Sequence, residues 1–332
     1  MMIILLVTSA MMASAPAELI SHKNESVSNL RIDAKAGQAA WDAVDDGRRV
    51  VRLANLAKGK MLRPPKSEGP QRSAGTIGKK SLVNAHDGER WAIEVKGKEP
   101  AAPSAASDVH ARVSPDGTLL AFVSGRSGKG DLYVTPAKKT NQPPRRVADN
   151  AWPDLYPAWS PDSAQLAVVQ TTPRGRKLSI FKGISGGGTI DKITVTDERI
   201  GPMSPSWRPD GKEIAFYARN WSSATMLYVA TPGIGAPSQR ISNVVPQASG
   251  PQWLQQGDKF YLIAVRYDGV VIAVDQMGSV TVLETGTFGN REVAVGIIAG
   301  KPTLLVTALG LSGAEGGNGL RKVYRWSVPK LD

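Results

Sequence analysis

Short apolar, β-prone runs alternate with polar turns along most of the chain, and one such pair recurs as a near-identical phrase. The copies begin at Val113-Ser114-Pro115-Asp116-Gly117, Trp159-Ser160-Pro161-Asp162 and Trp207-Arg208-Pro209-Asp210-Gly211. Each leads into an apolar strand such as Leu119-Leu120-Ala121-Phe122 or Glu213-Ile214-Ala215-Phe216. The aspartates stand 46 and 48 residues apart, and a worn fourth copy starts at Trp253, 46 residues after Trp207. The phrase predicts a strand, a type I turn and a second strand. Proline presets φ at the second turn position, and glycine accepts the last one without steric cost. A third strand follows each copy (Asp131-Leu132-Tyr133-Val134, Lys177 to Phe181, Met226 to Val229), then a weaker fourth. Four-stranded units of this period predict an all-β propeller.

Counting outward gives six blades, with five or seven left open by the degenerate C-terminal turns. Trp41 before Asp46-Gly47 reads as the first copy of the phrase with a longer turn. On that register 57–80 becomes an inserted basic loop. Ser81 to Ala85 and Trp91 to Val95 then supply the first blade's third and fourth strands. The last blade lacks one strand, and Ser26 to Ile32 has no partner. The expectation is therefore a six-bladed β-propeller over 26–332, closed by this N-terminal strand completing the last blade.

Three tryptophans, Trp159, Trp207 and Trp253, hold one place just before the turn. An aromatic binding ladder is conceivable there, but packing between neighbouring blades is the plainer reading. The repeat aspartates Asp116, Asp162 and Asp210 sit beside proline and are read as turn caps rather than channel carboxylates.

Residues 1–17 look like a secretory signal: Ile3 to Val7 begins an apolar core, and Ala15-Pro16-Ala17 offers small residues for cleavage, although Lys and Arg are missing ahead of it. Residues 18–25 then read as a linker. No stretch reaches the 18 or so apolar residues of a membrane span. The chain of 332 residues has no cysteine, which removes disulfides, thiolate metal sites and cysteine nucleophiles. An exported, periplasmic location is expected.

The formal charge of +12 is concentrated: residues 47–98 hold 13 Lys and Arg against 4 acids. The candidate binding residues are Lys58, Lys60, Arg63 and Lys66, in a loop that could meet an acidic protein, lipopolysaccharide or another anionic envelope polymer. Aromatic residues are not interleaved with these cations, so nucleic acid is the weaker fit.

Catalytic and metal patterns are sparse. Gly183-Ile184-Ser185-Gly186-Gly187 fits a nucleophile elbow by letters. The expected strand-to-helix context and a downstream histidine are missing. The histidines are His22, His86 and His110, scattered and without metal-ligand spacing. Asp42, Asp45 and Asp46 do not follow a calcium-loop pattern. No cofactor is implied.

The repeat phrases resemble the WD40-like propeller repeats of the TolB family, most closely over 105–265. That resemblance implies export, a six-bladed ring and non-enzymatic binding of cell-envelope proteins. The chain departs from it in having only a short segment between the signal and the first blade, where TolB carries an α/β domain. Similar repeats occur in prolyl-oligopeptidase-like enzymes and in a pectin-fragment lyase. The competing expectation is thus an enzyme acting on a sugar or peptide from the central channel.

Overall fold

The computed structural model describes residues 17–21, 25–33, 35–64, 69–77, 80–95, 102–138, 142–186, 189–196, 198–219, 224–247, 249–312 and 319–331. They form a β-propeller of seven blades, not six. The inner strands are Ser26–Asp33, Gln71–Ile77, Asp108–Val113, Asp154–Trp159, Pro202–Trp207, Gln252–Gln256 and Glu292–Ile298. Each contacts the next, and the last contacts the first, so the ring closes around a central channel. Blade 2 has three strands among the described residues, and the other blades have four.

The miscount comes from a register slipped by one strand. Trp41 does not precede the turn of the repeat phrase; it lies inside the second strand of blade 1, Gln38–Asp45. Asp46 and Gly47 both take positive φ, +46° and +75°, and form the two-residue hairpin between the second and third strands. Asp-Gly suits that turn because both central residues must be left-handed. The true first copy of the phrase runs through Asp33 and Gly37 and lacks proline.

Two further expectations fall with that register. Ser26–Asp33 is the inner strand of blade 1, hydrogen-bonded to Gln38–Asp45, and does not close the ring. The segment 57–80 is no inserted loop: it holds the outer strand of blade 1, Lys60–Leu62, and the inner strand of blade 2, Gln71–Ile77.

Closure does come from the N-terminal side, through a shorter strand inside the stretch expected as a linker. Glu18–Leu19 pairs with Lys322–Ser327, setting Glu18 opposite Arg325 and Leu19 opposite Tyr324. Ile20 N donates to Val323 O at 2.9 Å, and Val323 N donates to Ser21 Oγ at 2.9 Å. Of 1–17, expected as the signal, residues 1–16 lie outside the described residues, and Ala17 is buried in the core.

The core is divided among the seven blade interfaces. Blades 3 and 4, for example, bury Ala121, Leu132 and Val134 against Trp159, Leu166 and Phe181. Trp41, fully buried, fills the junction of blades 7 and 1 with Leu30, Leu305 and Val323. Near-continuous apolar strands are required because both faces of each blade are covered. The recurring tryptophans add a polar link. Trp159 Nε1 donates to Arg112 O at 3.0 Å, Trp207 Nε1 to Ala158 O at 3.0 Å, and Trp253 Nε1 to Ser206 O at 3.3 Å. Each indole therefore ties one blade to the inner strand of the blade before it.

Candidate functional site

Inner strands face the channel, and a backbone irregularity shapes what they present. In blades 1 to 5 the pairing of the first two strands slips by one residue. In four of these blades a non-glycine residue at the slip has positive φ: Asn29 (+55°), His110 (+56°), Tyr156 (+52°) and Ser204 (+45°). A bulge re-aims side chains and is common beside binding sites. Left-handed φ in non-glycine residues costs of order 1 kcal/mol or more each. The inner strands of blades 6 and 7 pair without such a slip.

Two residues beyond each of these positive-φ positions stand Arg31 in blade 1, Arg112 in blade 3, Ala158 in blade 4 and Ser206 in blade 5. Arg31 and Arg112 are half-buried on these inner strands. Arg31 has acids nearby, Asp42 and Glu292, and donates to Asn29 Oδ1 at 3.2 Å. Its Nε is buried and meets no hydrogen-bond acceptor among the described residues. Arg112 donates only to the carbonyl of Ala111, at 2.8 Å, and the described residues offer it no carboxylate. Burial, and then Arg31, lower its pKa, but a guanidinium stays charged.

His110 lies within this cationic wall. Its ring packs edge-on against Tyr156 at 5.3 Å. Burial, followed by the charges of Arg112, Arg31 and Arg72, pushes its pKa down to about 4. The imidazole is neutral at physiological pH. Arg72 is exposed, with its guanidinium 4.8 Å from the Trp91 ring. The pKa of Glu292 is raised by burial.

A pocket of about 300 Å³ opens on the channel wall of blades 3 to 5. Its lining includes Arg112, Tyr156, Ser204, Ser206, Trp159 and Trp207. The turns of the repeat phrase border it through Pro115 and Pro161. Gly250 abuts it: a Cβ there would stand 2.8 Å from Ser204 O, and φ is +84°.

The residues singled out from sequence are dispersed over this frame. Lys58, Lys60 and Arg63 are exposed and flank the outer strand of blade 1, away from the channel arginines on inner strands. Lys66 lies outside the described residues. Asp116, Asp162 and Asp210 bond within their own turns. Asp116 accepts from Thr118 N at 3.0 Å, Asp162 from Ala164 N at 3.0 Å and Asp210 from Lys212 N at 3.1 Å. Partial burial works against the Asp116 carboxylate, yet bonds from Ser114 and Thr118 hold its pKa below the ordinary range. The Ser160 hydroxyl and the Arg208 guanidinium do the same for Asp162 and Asp210. The glycines close the turns: Gly117 N and Gly211 N donate to Ser114 O and Arg208 O, with φ of +76° and +73°. Pro209 occupies the same place as Pro115 and Pro161.

Ser185 is exposed in the bend after Gly175–Lys182, and neither described histidine is in its blade. His86 accepts from Gly88 N at 3.2 Å and packs against Trp91. No group of three His, Cys, Asp or Glu residues placed to hold a metal occurs among the described residues. None of their helices is long and apolar enough to cross a membrane.

No family model matches the chain, and neither does any curated protein. Solved structures do. A puromycin-hydrolysing peptidase from Mycobacterium tuberculosis aligns with a TM-score of 0.67 at 17% identity, over 94% of this chain and 54% of the peptidase. An oligogalacturonate lyase in complex with manganese aligns with a TM-score of 0.67 at 13% identity, over 96% of this chain and 95% of the lyase. TolB from Acinetobacter baumannii aligns with a TM-score of 0.50 at 14% identity, over 80% of this chain and 56% of TolB. The chain thus spans about half the length of the peptidase and of TolB. At these identities the likeness establishes the propeller fold, TolB-like among others, and leaves activity to the site itself.

Proposed function

We propose that this chain is an exported, periplasmic binding propeller that engages an anionic partner of the cell envelope, a protein or an acidic polymer, through one face of its ring. The observation that carries the reading is Arg112: a pocket-lining guanidinium with, among the described residues, one of its five donors bonded and no carboxylate beside it. Arg112 is repelled by Arg31, and the acids near Arg31, Asp42 and Glu292, do not reach Arg112. Its retention is accounted for by a negative ligand. The exposed cations Lys58, Lys60 and Arg63 form a second and peripheral positive zone that steers the same class of partner. TolB-like architecture supports partner binding. The test is capture of envelope proteins and polymers on immobilised protein across a salt series. Binding that weakens with salt and falls when Arg112 or these peripheral cations are neutralised supports the reading. Binding indifferent to all of these charges refutes it.

A second reading is an enzyme acting on an acidic sugar within the channel. The lyase-like fold over nearly the full chain and the cations Arg31 and Arg112, with the neutral imidazole of His110 beside them, favour it. Incubation with oligogalacturonate, with and without added manganese, decides it: an unsaturated uronide must accumulate, and must fail to do so when Tyr156 or Arg112 is replaced.

A further inference from the structure

We propose that the pocket beside Arg112 is a binding subsite for a small hydroxylated carboxylate of the size of one sugar acid. This deepens the second reading above, on which it rests, and goes beyond partner binding. The volume, about 300 Å³, stands at the lower end of small-molecule pockets. That suits a ligand of roughly ten to fifteen non-hydrogen atoms and is too small for a folded segment of a partner.

The chemistry of the wall sorts by function. Arg112 supplies the charge, and its free N–H groups form a planar fork that matches a carboxylate with two parallel bonds. Ser206 spends its proton on Pro251 O at 2.6 Å, so its oxygen is left to accept a bond from a ligand hydroxyl. The Tyr156 hydroxyl makes no hydrogen bond to a described residue and can donate or accept. Pro157, Pro205 and Ala158 give an apolar face for the C–H edges of a ring. The strained bulges at Tyr156 and Ser204 hold this arrangement on adjacent inner strands. One fixed cation, several hydroxyls and a short apolar face discriminate a sugar acid from a plain dicarboxylate and from a neutral sugar.

The experiment is calorimetric titration of the full chain with four probes: galacturonate, galactose, glutarate and triglutamate. Galacturonate is expected to bind at least tenfold more tightly than galactose or glutarate. Arg112→Met should cost at least tenfold in galacturonate affinity while the unfolding midpoint holds or rises. Tyr156→Phe, which keeps the ring and its packing, should cost several-fold and serves if the arginine variant fails to fold. Equal affinity for galacturonate and galactose, or unchanged affinity in both variants, overturns the subsite. Triglutamate binding tighter than galacturonate overturns the sugar-acid assignment in favour of an acidic peptide. Partner capture that survives in Arg112→Met while galacturonate binding is lost leaves the two proposals separable.

Discussion

His110 offers a direct way to read the electrostatics of the channel from folding stability. Its pKa falls from an ordinary 6.5 to about 4 because burial and three arginines, Arg112, Arg31 and Arg72, disfavour the charged imidazole. Proton affinity in the native state is thus lowered roughly 300-fold, equivalent to about 3.4 kcal/mol. The unfolded chain takes up the proton near pH 6.5 and the native protein resists until about pH 4. The native state is therefore at no disadvantage above pH 6.5, and stability is lost as pH falls through the window. Integration to pH 4.5 gives a loss of about 2.5 kcal/mol. The control is His110→Asn, because Asn29 occupies the equivalent bulge in blade 1 with φ of +55° and asparagine tolerates that backbone. Urea unfolding of both proteins at pH 7.5 and 4.5 is the assay. The carboxylates titrate in both and cancel in the difference. Wild type is expected to lose about 2.5 kcal/mol more than His110→Asn. Parallel losses, within about 0.5 kcal/mol, would refute a desolvated histidine held among cations.

Other expectations follow from the same frame. Asp154 is fully buried, and burial raises its pKa to about 6 despite bonds from Gln170, Leu132 and Asn150. Its native form prefers the proton, so this residue favours folding below pH 4 and loses that contribution as pH rises through 6, by about 3 kcal/mol at neutrality; Asp154→Asn should flatten that part of the stability profile in the same unfolding assay. Trp207→Ala removes an interblade anchor and its bond to Ala158 O, and should cost about 3–5 kcal/mol in urea midpoint-derived stability. Gly250→Ala meets Ser204 O at 2.8 Å with φ of +84°, so it should destabilise by about 1–3 kcal/mol and weaken galacturonate binding by disturbing the pocket floor. Removal of 1–21 deletes the strand that pairs with Lys322–Ser327 and should raise hydrogen exchange first at Val323 and Arg325, whose amides face that strand.

Where the turn chemistry was kept, sequence revealed the architecture: Pro115, Pro161 and Pro209 mark three consecutive blades at their true register. Blades 1 and 2 were obscured because their first turns lack the proline phrase, and because Trp41 mimics the recurring tryptophans from the wrong strand. Its burial matches Phe122 and Phe216, second-strand residues, rather than Trp159. The channel cations were harder to see. Arg31 and Arg112 form no motif, being 81 residues apart in the sequence. Only the ring brings them onto one wall. The available signal was positional: the residue immediately ahead of Val113, Trp159 and Trp207 lines the channel. Charge counting pointed instead at Lys58, Lys60 and Arg63, which lie in and beside an outer strand in open solvent. Such exposed charges are screened, whereas confinement magnifies the fewer charges of the channel.

The most direct test is a crystal structure of the full chain grown with galacturonate. The sugar's carboxylate is expected on the Arg112 guanidinium, inside a seven-bladed ring, with a ring hydroxyl at Tyr156 or Ser206. A channel filled by water alone, or the sugar seated at Lys58 and Lys60 on the rim, would contradict a cationic channel built to receive an acid.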